Sequence, residues 1–121
     1  GVYVLAIALM FALYGLAPKD TAKAKVTAAQ IEVDDTARAL ALYGRENGGF
    51  PAPGDWLDSL HRDQKDPSKG PYLRAPLDGI DNWDNRLVYE VAPDGVSYTL
   101  FSAGPDGRAG TDDDLRPSGR Q

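Results

Sequence analysis

The sequence predicts an α+β fold in which a long N-terminal helix packs on a small antiparallel sheet, with a loop-rich C-terminal region. Three observations support this class. The first half of the chain carries apolar residues at helical spacing, two short β-rich segments flank a turn near residue 94, and the remaining residues are dense in Pro, Gly, Asp and Asn. A chain of 121 residues suits one domain with an appendage.

The N-terminal run GVYVLAIALMFALYGLA, residues 1–17, contains no charged residue. As a helix it would reach roughly 25 Å, close to the thickness of a bilayer's hydrocarbon core. This favours a helix buried in a membrane or inside a filament. A cleaved signal peptide is the main alternative, but the basic n-region and an evident cleavage site are missing. A buried core helix would need a larger soluble domain to cover it.

Pro18 predicts a kink or interruption after the apolar run, and helical spacing then resumes. The second half of the helix is amphipathic, with an apolar stripe formed by Val26, Ala29, Val33, Ala37, Leu40 and Ala41. The Asn-Gly-Gly segment at 47–49 predicts its C-terminal stop. We therefore expect three segments: 1–18 as the membrane or filament-core helix, 19–49 as the amphipathic half, and 50–121 as the globular region.

Within the globular region a short helix is expected around Asp55–Leu60. The segments Arg86–Val91 and Val96–Ser102 are strand candidates, and the Ala-Pro-Asp-Gly sequence between them predicts a turn. A single hairpin is marginally stable in water. We therefore expect it to pack on the amphipathic half of the long helix.

The segment SAGPDGRAGTDDDLR, residues 102–116, gathers four aspartates, Asp106, Asp112, Asp113 and Asp114. Calcium binds six to eight oxygen atoms from carboxylates, carbonyls and water, whereas zinc and copper favour nitrogen or sulfur ligands. The glycines would let the backbone curl and present carbonyl groups inward. Since an acidic, glycine-rich tail can also be simply solvated, both interpretations stand at this point.

The geometry of an extended segment would direct Asp112 and Asp114 to one side, with Asp106 closing the site across the turn. The same alternation would turn Asp113 away, which makes it the weakest ligand. The end of the preceding strand offers backbone carbonyls. The predicted calcium ligands are Leu100, Ser102, Asp106, Asp112, Asp113 and Asp114.

Other features of the composition exclude several functions. Thirteen basic and eighteen acidic residues give a net charge of −5, which argues against a nucleic-acid partner. Disulfides and thiolate metal sites are excluded because the chain has no cysteine. The only histidine, His61, has no nucleophile motif beside it, and no phosphate-binding glycine loop occurs. We expect no enzymatic activity.

The remaining turn aspartates, Asp78, Asp81, Asp84 and Asp94, are expected to stabilise local turns.

Three segments together suggest a family. An apolar helix reaches Pro18, a W-x-N-x-x-x-Y segment follows at 83–89, and a strand then leads into LFSAGPDGRAGTDDDL. The chain resembles the major pseudopilins of type II secretion, the G subunits, within the type IV pilin-like group. The resemblance covers essentially the whole chain, and the C-terminal pattern is its most specific part.

The resemblance implies a pilin-like structural subunit. In that family the apolar helix crosses the inner membrane once, with the globular domain in the periplasm, and then packs into the core of a homopolymeric pseudopilus. Minor pseudopilins and an inner-membrane assembly platform are the implied partners, and protein export across the outer membrane is the implied role. The family also binds calcium in the corresponding C-terminal loop.

The chain departs from the family pattern in three places. Alignment on Pro18 places the family's N-terminal Glu at Gly1, so methylation and Glu-guided assembly are assigned to no residue here. The family's D-P-W-G-N reads LDGIDNWDN, and the chain ends in RPSGRQ rather than in an aromatic-containing segment. Two alternatives stay open: a type IV pilin of another filament, which would usually carry a C-terminal disulfide, and a membrane-anchored periplasmic calcium-binding module that does not polymerise.

Overall fold

A computed structural model describes residues 18–74 and 78–118. Helix α1 spans Pro18–Asn47, helix α2 spans Trp56–Leu60, and a 3-10 turn covers Pro67–Lys69. Strands β1, Val88–Val91, and β2, Tyr98–Phe101, follow. This order confirms the α+β class. The apolar run at 1–17, and any kink that joins it to α1, lie outside the described residues.

Helix α1 presents the expected apolar stripe to the rest of the domain. Ala29, Val33, Ala37 and Leu40 are all buried, at spacings that place them on one helical face. Thr36 is buried on this face too, and its hydroxyl donates to the Glu32 carbonyl at 2.7 Å. A buried threonine is tolerated here because the helix itself supplies an acceptor.

The C-terminal end of α1 is set by the predicted glycine stop. Gly48 has a φ of 75°, a left-handed conformation that glycine adopts without steric cost. Its N–H donates to the Gly44 carbonyl at 2.9 Å and closes the last turn. The chain then reverses, and the Phe50 N–H donates to the Gly95 carbonyl at 3.0 Å, which ties the helix end to the hairpin turn.

Strands β1 and β2 form an antiparallel pair in which Val88 lies opposite Phe101 and Tyr89 lies opposite Leu100. Both strands are shorter than the sequence predicts. Residues before β1 pair with the preceding turn instead of with β2, since the Leu87 N–H donates to the Gly79 carbonyl at 2.7 Å. Residues before β2 belong to the turn, which the Ala92 N–H closes on the Ser97 carbonyl at 2.9 Å.

The core lies between α1, α2 and the hairpin, as expected for a sheet packed on a helix. Leu40, Leu60 and Leu100 are almost fully buried at its centre. The Trp56 ring stacks on the Tyr89 ring with centroids 4.4 Å apart, and the Tyr89 hydroxyl donates to the Pro51 carbonyl at 2.7 Å. Burial, with smaller contributions from neighbouring tyrosines, raises the pKa of the Tyr89 phenol. Among the helices described here, none is long and apolar enough to cross a bilayer.

Candidate functional site

The acidic loop, defined here as residues 103–114, is closed at its base by two reciprocal backbone hydrogen bonds. The Ser102 N–H donates to the Leu115 carbonyl at 3.0 Å, and the Leu115 N–H donates back to the Ser102 carbonyl at 2.8 Å. Such an antiparallel bridge brings the two ends of the loop together directly after strand β2. The segment is therefore a folded loop held at the end of the sheet rather than a trailing tail.

Asp106 organises the first turn of the loop. One of its carboxylate oxygens accepts from the Arg108 N–H at 2.9 Å, and the other accepts from the Thr111 hydroxyl at 2.7 Å. These two hydrogen bonds, in that order of size, lower the pKa of Asp106. The carboxylate is exposed to solvent, so it remains accessible despite these contacts.

Asp114 is the most deeply placed carboxylate of the loop. Only 5% of its side chain is exposed, and its Oδ2 atom accepts from the Gly110 N–H at 2.8 Å. Arg116 lies 3.9 Å from the same oxygen. The Oδ1 atom is buried and has no hydrogen-bond partner among the described residues. Because a buried carboxylate oxygen without a partner is costly, this atom is the oxygen of the loop that would gain most from an additional partner.

Gly104 allows the loop to fold back on itself. Its φ is 75°, and a Cβ atom at this position would collide with the carbonyl oxygen of Asp113. Both the left-handed conformation and the close approach therefore require glycine. Gly110 also has a positive φ, of 86°, but a Cβ atom there would meet nothing within 4 Å.

A buried aspartate outside the loop supports its base. Asp81 is 5% exposed, and its Oδ2 atom accepts from the Ser102 hydroxyl at 2.8 Å. Its Oδ1 atom accepts from the N–H groups of Trp83 and Asn85, each at 2.9 Å. The expectation that Asp81 stabilises a turn is thus confirmed, but its role in positioning Ser102 was not anticipated. Nothing in the local pattern distinguishes it from the exposed Asp78, which accepts from the Ile80 N–H in a similar turn.

The chain beyond the loop is fastened to helix α1. The Gln30 side chain donates to the Arg116 carbonyl at 2.7 Å, and the Ser118 N–H and hydroxyl donate to the two carboxylate oxygens of Asp34 at 2.8 and 2.6 Å. Partial burial raises the pKa of Asp34, but the Ser118 hydrogen bonds outweigh it and leave the pKa lowered. The residues at 116–118, called the C-terminal strap below, thus connect the end of the acidic loop to helix α1.

The six predicted calcium ligands lie in different local settings. Leu100 lies within β2 with its side chain in the core, and the Ser102 carbonyl is engaged with Leu115, although a carbonyl oxygen can accept a second partner. Asp112 and Asp113 are exposed on a turn that the Asp114 N–H closes on the Thr111 carbonyl at 3.2 Å. The extended geometry expected for this segment is therefore wrong, since the glycine at 110 leads directly into a turn.

Within residues 18–74 and 78–118 no three acidic or histidine side chains are grouped closely enough to hold a metal ion. The loop nevertheless fits calcium in its chemistry, because every donor is an oxygen and one of them, Asp114 Oδ1, is buried and unpaired. Calcium binding and its ligand set stay predictions.

Comparison with known proteins agrees with this architecture. A family model described as "Type II secretion system (T2SS), protein G" matches residues 18–117. A curated relative, the type II secretion system core protein G of Escherichia coli (strain K12), is 33% identical over 84 residues. That alignment covers 64% of this chain and 56% of the relative, so the chain spans little more than half of the relative's length.

A solved structure is also similar in fold. The crystal structure of the major pseudopilin from the type 2 secretion system of enterohaemorrhagic Escherichia coli matches with a TM-score of 0.57 at 21% sequence identity. The match covers 80% of this chain and 85% of that chain. The long helix with a small antiparallel sheet is thus a pilin-like fold. Because the family model covers most of the sequence, from the helix to the C-terminal strap, the chain belongs to the type II secretion system protein G family, the major pseudopilins.

Proposed function

We propose that this protein is a structural subunit of a type II secretion pseudopilus that supports protein export across the outer membrane. The observation that carries the proposal is the family match over residues 18–117, which includes helix α1, the hairpin and the acidic loop. The protein G family consists of structural secretion-system subunits that face the periplasm. Absence of enzymatic activity is the corresponding prediction for this chain.

The subunit polymerises through the apolar segment at residues 1–17, which lies outside the described residues. Before assembly this segment is buried by the inner membrane, with the globular domain in the periplasm. After assembly it is buried by the same segments of neighbouring subunits. Both environments remove its apolar surface from water, which explains how one segment can serve two states. Minor pseudopilins and an inner-membrane platform are the partners proposed for this assembly.

Calcium stabilises the acidic loop in this proposal. Asp114 would hold the ion with its unpaired Oδ1 atom, and Asp106 and Asp112 would contribute carboxylate oxygens after giving up solvent or loop contacts. The backbone carbonyls of Leu100 and Ser102 and the carboxylate of Asp113 complete the candidate set. The ion would supply positive charge that offsets the repulsion among the four aspartates, so binding would add to the free energy of unfolding.

The calcium proposal is tested by calorimetric titration of calcium into the full chain in detergent. We expect saturable binding of one ion per chain, lost in an Asp112→Ala, Asp114→Ala double variant. Asp94→Ala is a matched control, because Asp94 is also an exposed turn aspartate, accepting from the Val96 N–H at 3.0 Å, but it lies in the hairpin turn. Binding that survives in the double variant, or that the control also abolishes, would contradict the assignment.

Polymerisation is tested separately by sedimentation and negative-stain imaging of the full chain reconstituted in membranes. Filaments support a pseudopilus subunit. Calcium binding by a species that never assembles would instead favour the alternative of a membrane-anchored calcium-binding module. Filaments that assemble without the type II secretion platform but serve adhesion or motility would favour another pilin-like assembly.

A further inference from the structure

An open groove of about 790 Å³ lies on the opposite side of strand β2 from β1. Its floor and walls come from the C-terminal half of α1, from β2 and the turn before it, and from the C-terminal strap. The residues that define it are Gly44, Arg45, Phe50, Val96, Leu100 and Arg116. Val96 is 63% exposed, so a large apolar side chain faces solvent at this place.

The groove exists because the C-terminal strap leaves β2 early. Ser102 and Leu115 begin an antiparallel pairing along this edge of β2. Pro117 comes opposite Leu100 in the same register, and proline has no N–H to continue the ladder. The strap then turns to α1, where Ser118 binds Asp34. Among the described residues, no strand therefore pairs with this edge of β2 on the N-terminal side of Ser102.

That edge also presents backbone hydrogen-bonding groups. In an antiparallel pair, alternate residues direct their N–H and C=O groups to the same edge. The Ser102 backbone points outward to Leu115, so the Leu100 backbone points outward too. An uncovered edge beside apolar side chains is a recurrent place for another chain to bind.

The charge of the groove is opposite to that of the whole protein. The chain carries a net charge of −5, but Arg45 and Arg116 both line the groove. Arg116 lies near Asp114, whereas Arg45 is exposed and has no ion pair within the described residues. A complementary occupant is therefore apolar in the middle and acidic at its flanks.

The protein itself has a surface segment with an exposed apolar side chain flanked by acidic ones. Ile80 is 38% exposed on the turn before β1, and Asp78 and Asp84 beside it are exposed as well. Among the described residues the exposed large hydrophobic side chains are Ile31, Ile80 and Val96. Val96 lies in the basic groove. Ile80 pairs across its turn with the exposed Arg86, but residues 78–86 hold three aspartates and this one arginine, so the Ile80 turn is net acidic and opposite in charge to the groove. Ile31, on helix α1, lies neither in the groove nor in the Ile80 turn.

We propose that the groove beside β2 receives the Ile80 turn of a second copy of this chain, with Arg45 facing the carboxylates of Asp78 and Asp84. The contact joins two different patches, so each subunit keeps one patch free for the next subunit. Repetition of such a heterologous contact excludes a closed dimer, and it produces an open helical array when the rotation between subunits does not close into a ring. The inference rests on the proposed filament role and identifies a contact between globular domains that would accompany helix packing.

Disulfide trapping tests the contact directly, because the native chain contains no cysteine. Full-length Val96→Cys and Ile80→Cys chains are mixed in reconstituted membranes and mildly oxidised. We expect a mixed dimer in at least about tenfold excess over the mixture of Val96→Cys with Ile31→Cys, corresponding to about 1.4 kcal/mol of preference. Ile31→Cys is the matched control, since Ile31 is an isoleucine with 56% exposure. Equal cross-linking in the two mixtures would overturn the proposal.

Charge reversal provides a second readout. Arg45→Glu is expected to reduce the Val96–Ile80 mixed dimer severalfold, and Asp78→Lys on the partner is expected to restore it. Arg38→Glu serves as the control, because Arg38 is an exposed arginine of the same helix outside the groove. An equal reduction by Arg38→Glu, or failure of Asp78→Lys to restore the dimer, would contradict the pairing of charges.

The same samples, unoxidised, are imaged for filaments. Filaments without the Val96–Ile80 mixed dimer would overturn this contact and leave the proposed function standing. The mixed dimer without filaments would support the contact and overturn the filament role. Absence of both would overturn both.

Discussion

The domain core and the acidic loop are held together by different forces. Around Leu40, Leu60 and Leu100 stability comes from apolar side chains removed from water. In residues 103–114 stability comes from directed hydrogen bonds, which glycines in left-handed conformations allow the backbone to form. The hydrophobic effect is non-directional, so its contribution does not depend on the exact position of any one atom. The stability of the loop depends on individual hydrogen bonds between particular atoms. The two regions should therefore respond differently to mutation, pH and calcium.

The largest effect is expected in the core. Leu40→Ala removes a side chain that is 0% exposed, and we expect a loss of about 3–4 kcal/mol in the free energy of unfolding because a cavity remains. Urea unfolding of the full chain in detergent measures it. Ile31→Ala, on the exposed face of the same helix, should cost less than about 0.5 kcal/mol. Equal losses in the two variants would contradict the packing described for α1.

Gly104→Ala should disrupt the loop and leave the core folded. The left-handed backbone and the collision with the Asp113 carbonyl together should cost about 2–3 kcal/mol locally. Trypsin cleavage at the exposed Arg108 reports opening of the loop and should accelerate. Gly110→Ala keeps the conformational penalty, about 1 kcal/mol, without the collision. Faster cleavage in Gly110→Ala than in Gly104→Ala would show that crowding at Gly104 is unimportant.

Ser102→Ala tests the connection between the two regions. It removes the hydroxyl that donates to the buried Asp81 Oδ2 atom, and we expect a loss of about 1–2 kcal/mol because the oxygen becomes unpaired. Ser118→Ala removes a similar hydroxyl–carboxylate contact at an exposed site and should cost about 0.5 kcal/mol or less. Urea unfolding compares them, and a larger loss in Ser118→Ala would reverse the assignment.

The smallest effect concerns Glu32 on α1. Partial burial, followed by repulsion from Asp78 and Asp81, raises the pKa of Glu32 above its ordinary value of 4.5. A native pKa above the unfolded one means that the charged form destabilises the native state, so this group's contribution to stability improves as the pH falls through the native pKa. Glu32→Gln should therefore stabilise by about 0.3 kcal/mol at neutral pH, with a discount for solvent screening.

The pH dependence provides the check on Glu32. The difference in unfolding free energy between Glu32→Gln and the native chain should disappear below the unfolded pKa, where both side chains are neutral in both states. The matched variant Glu46→Gln alters a helix carboxylate that accepts from the Lys65 N–H at 2.9 Å, away from Asp78 and Asp81. Stabilisation that persists in acid would contradict the electrostatic origin.

Much of the fold followed from local patterns. The α1 stripe, its stop at Gly48 and the hairpin turn at Asp94 depend on residues within a few positions of one another. Each therefore leaves a recognisable signal in the sequence. The family resemblance had the same local origin, since the C-terminal pattern is contiguous, and the family match confirmed it.

The sequence by itself determined the elements, their order and the accumulation of aspartates near the C-terminus. Tertiary structure alone decided which carboxylates bind a hydroxyl group from a distant part of the chain. Asp81 meets Ser102 across 21 positions, and Asp34 meets Ser118 across 84. A turn aspartate has the same local sequence preferences whether it faces solvent or a distant hydroxyl. Only contacts between segments that are far apart in the chain distinguish the two, because burial and such contacts depend on the folded chain and not on the adjacent residues in the sequence.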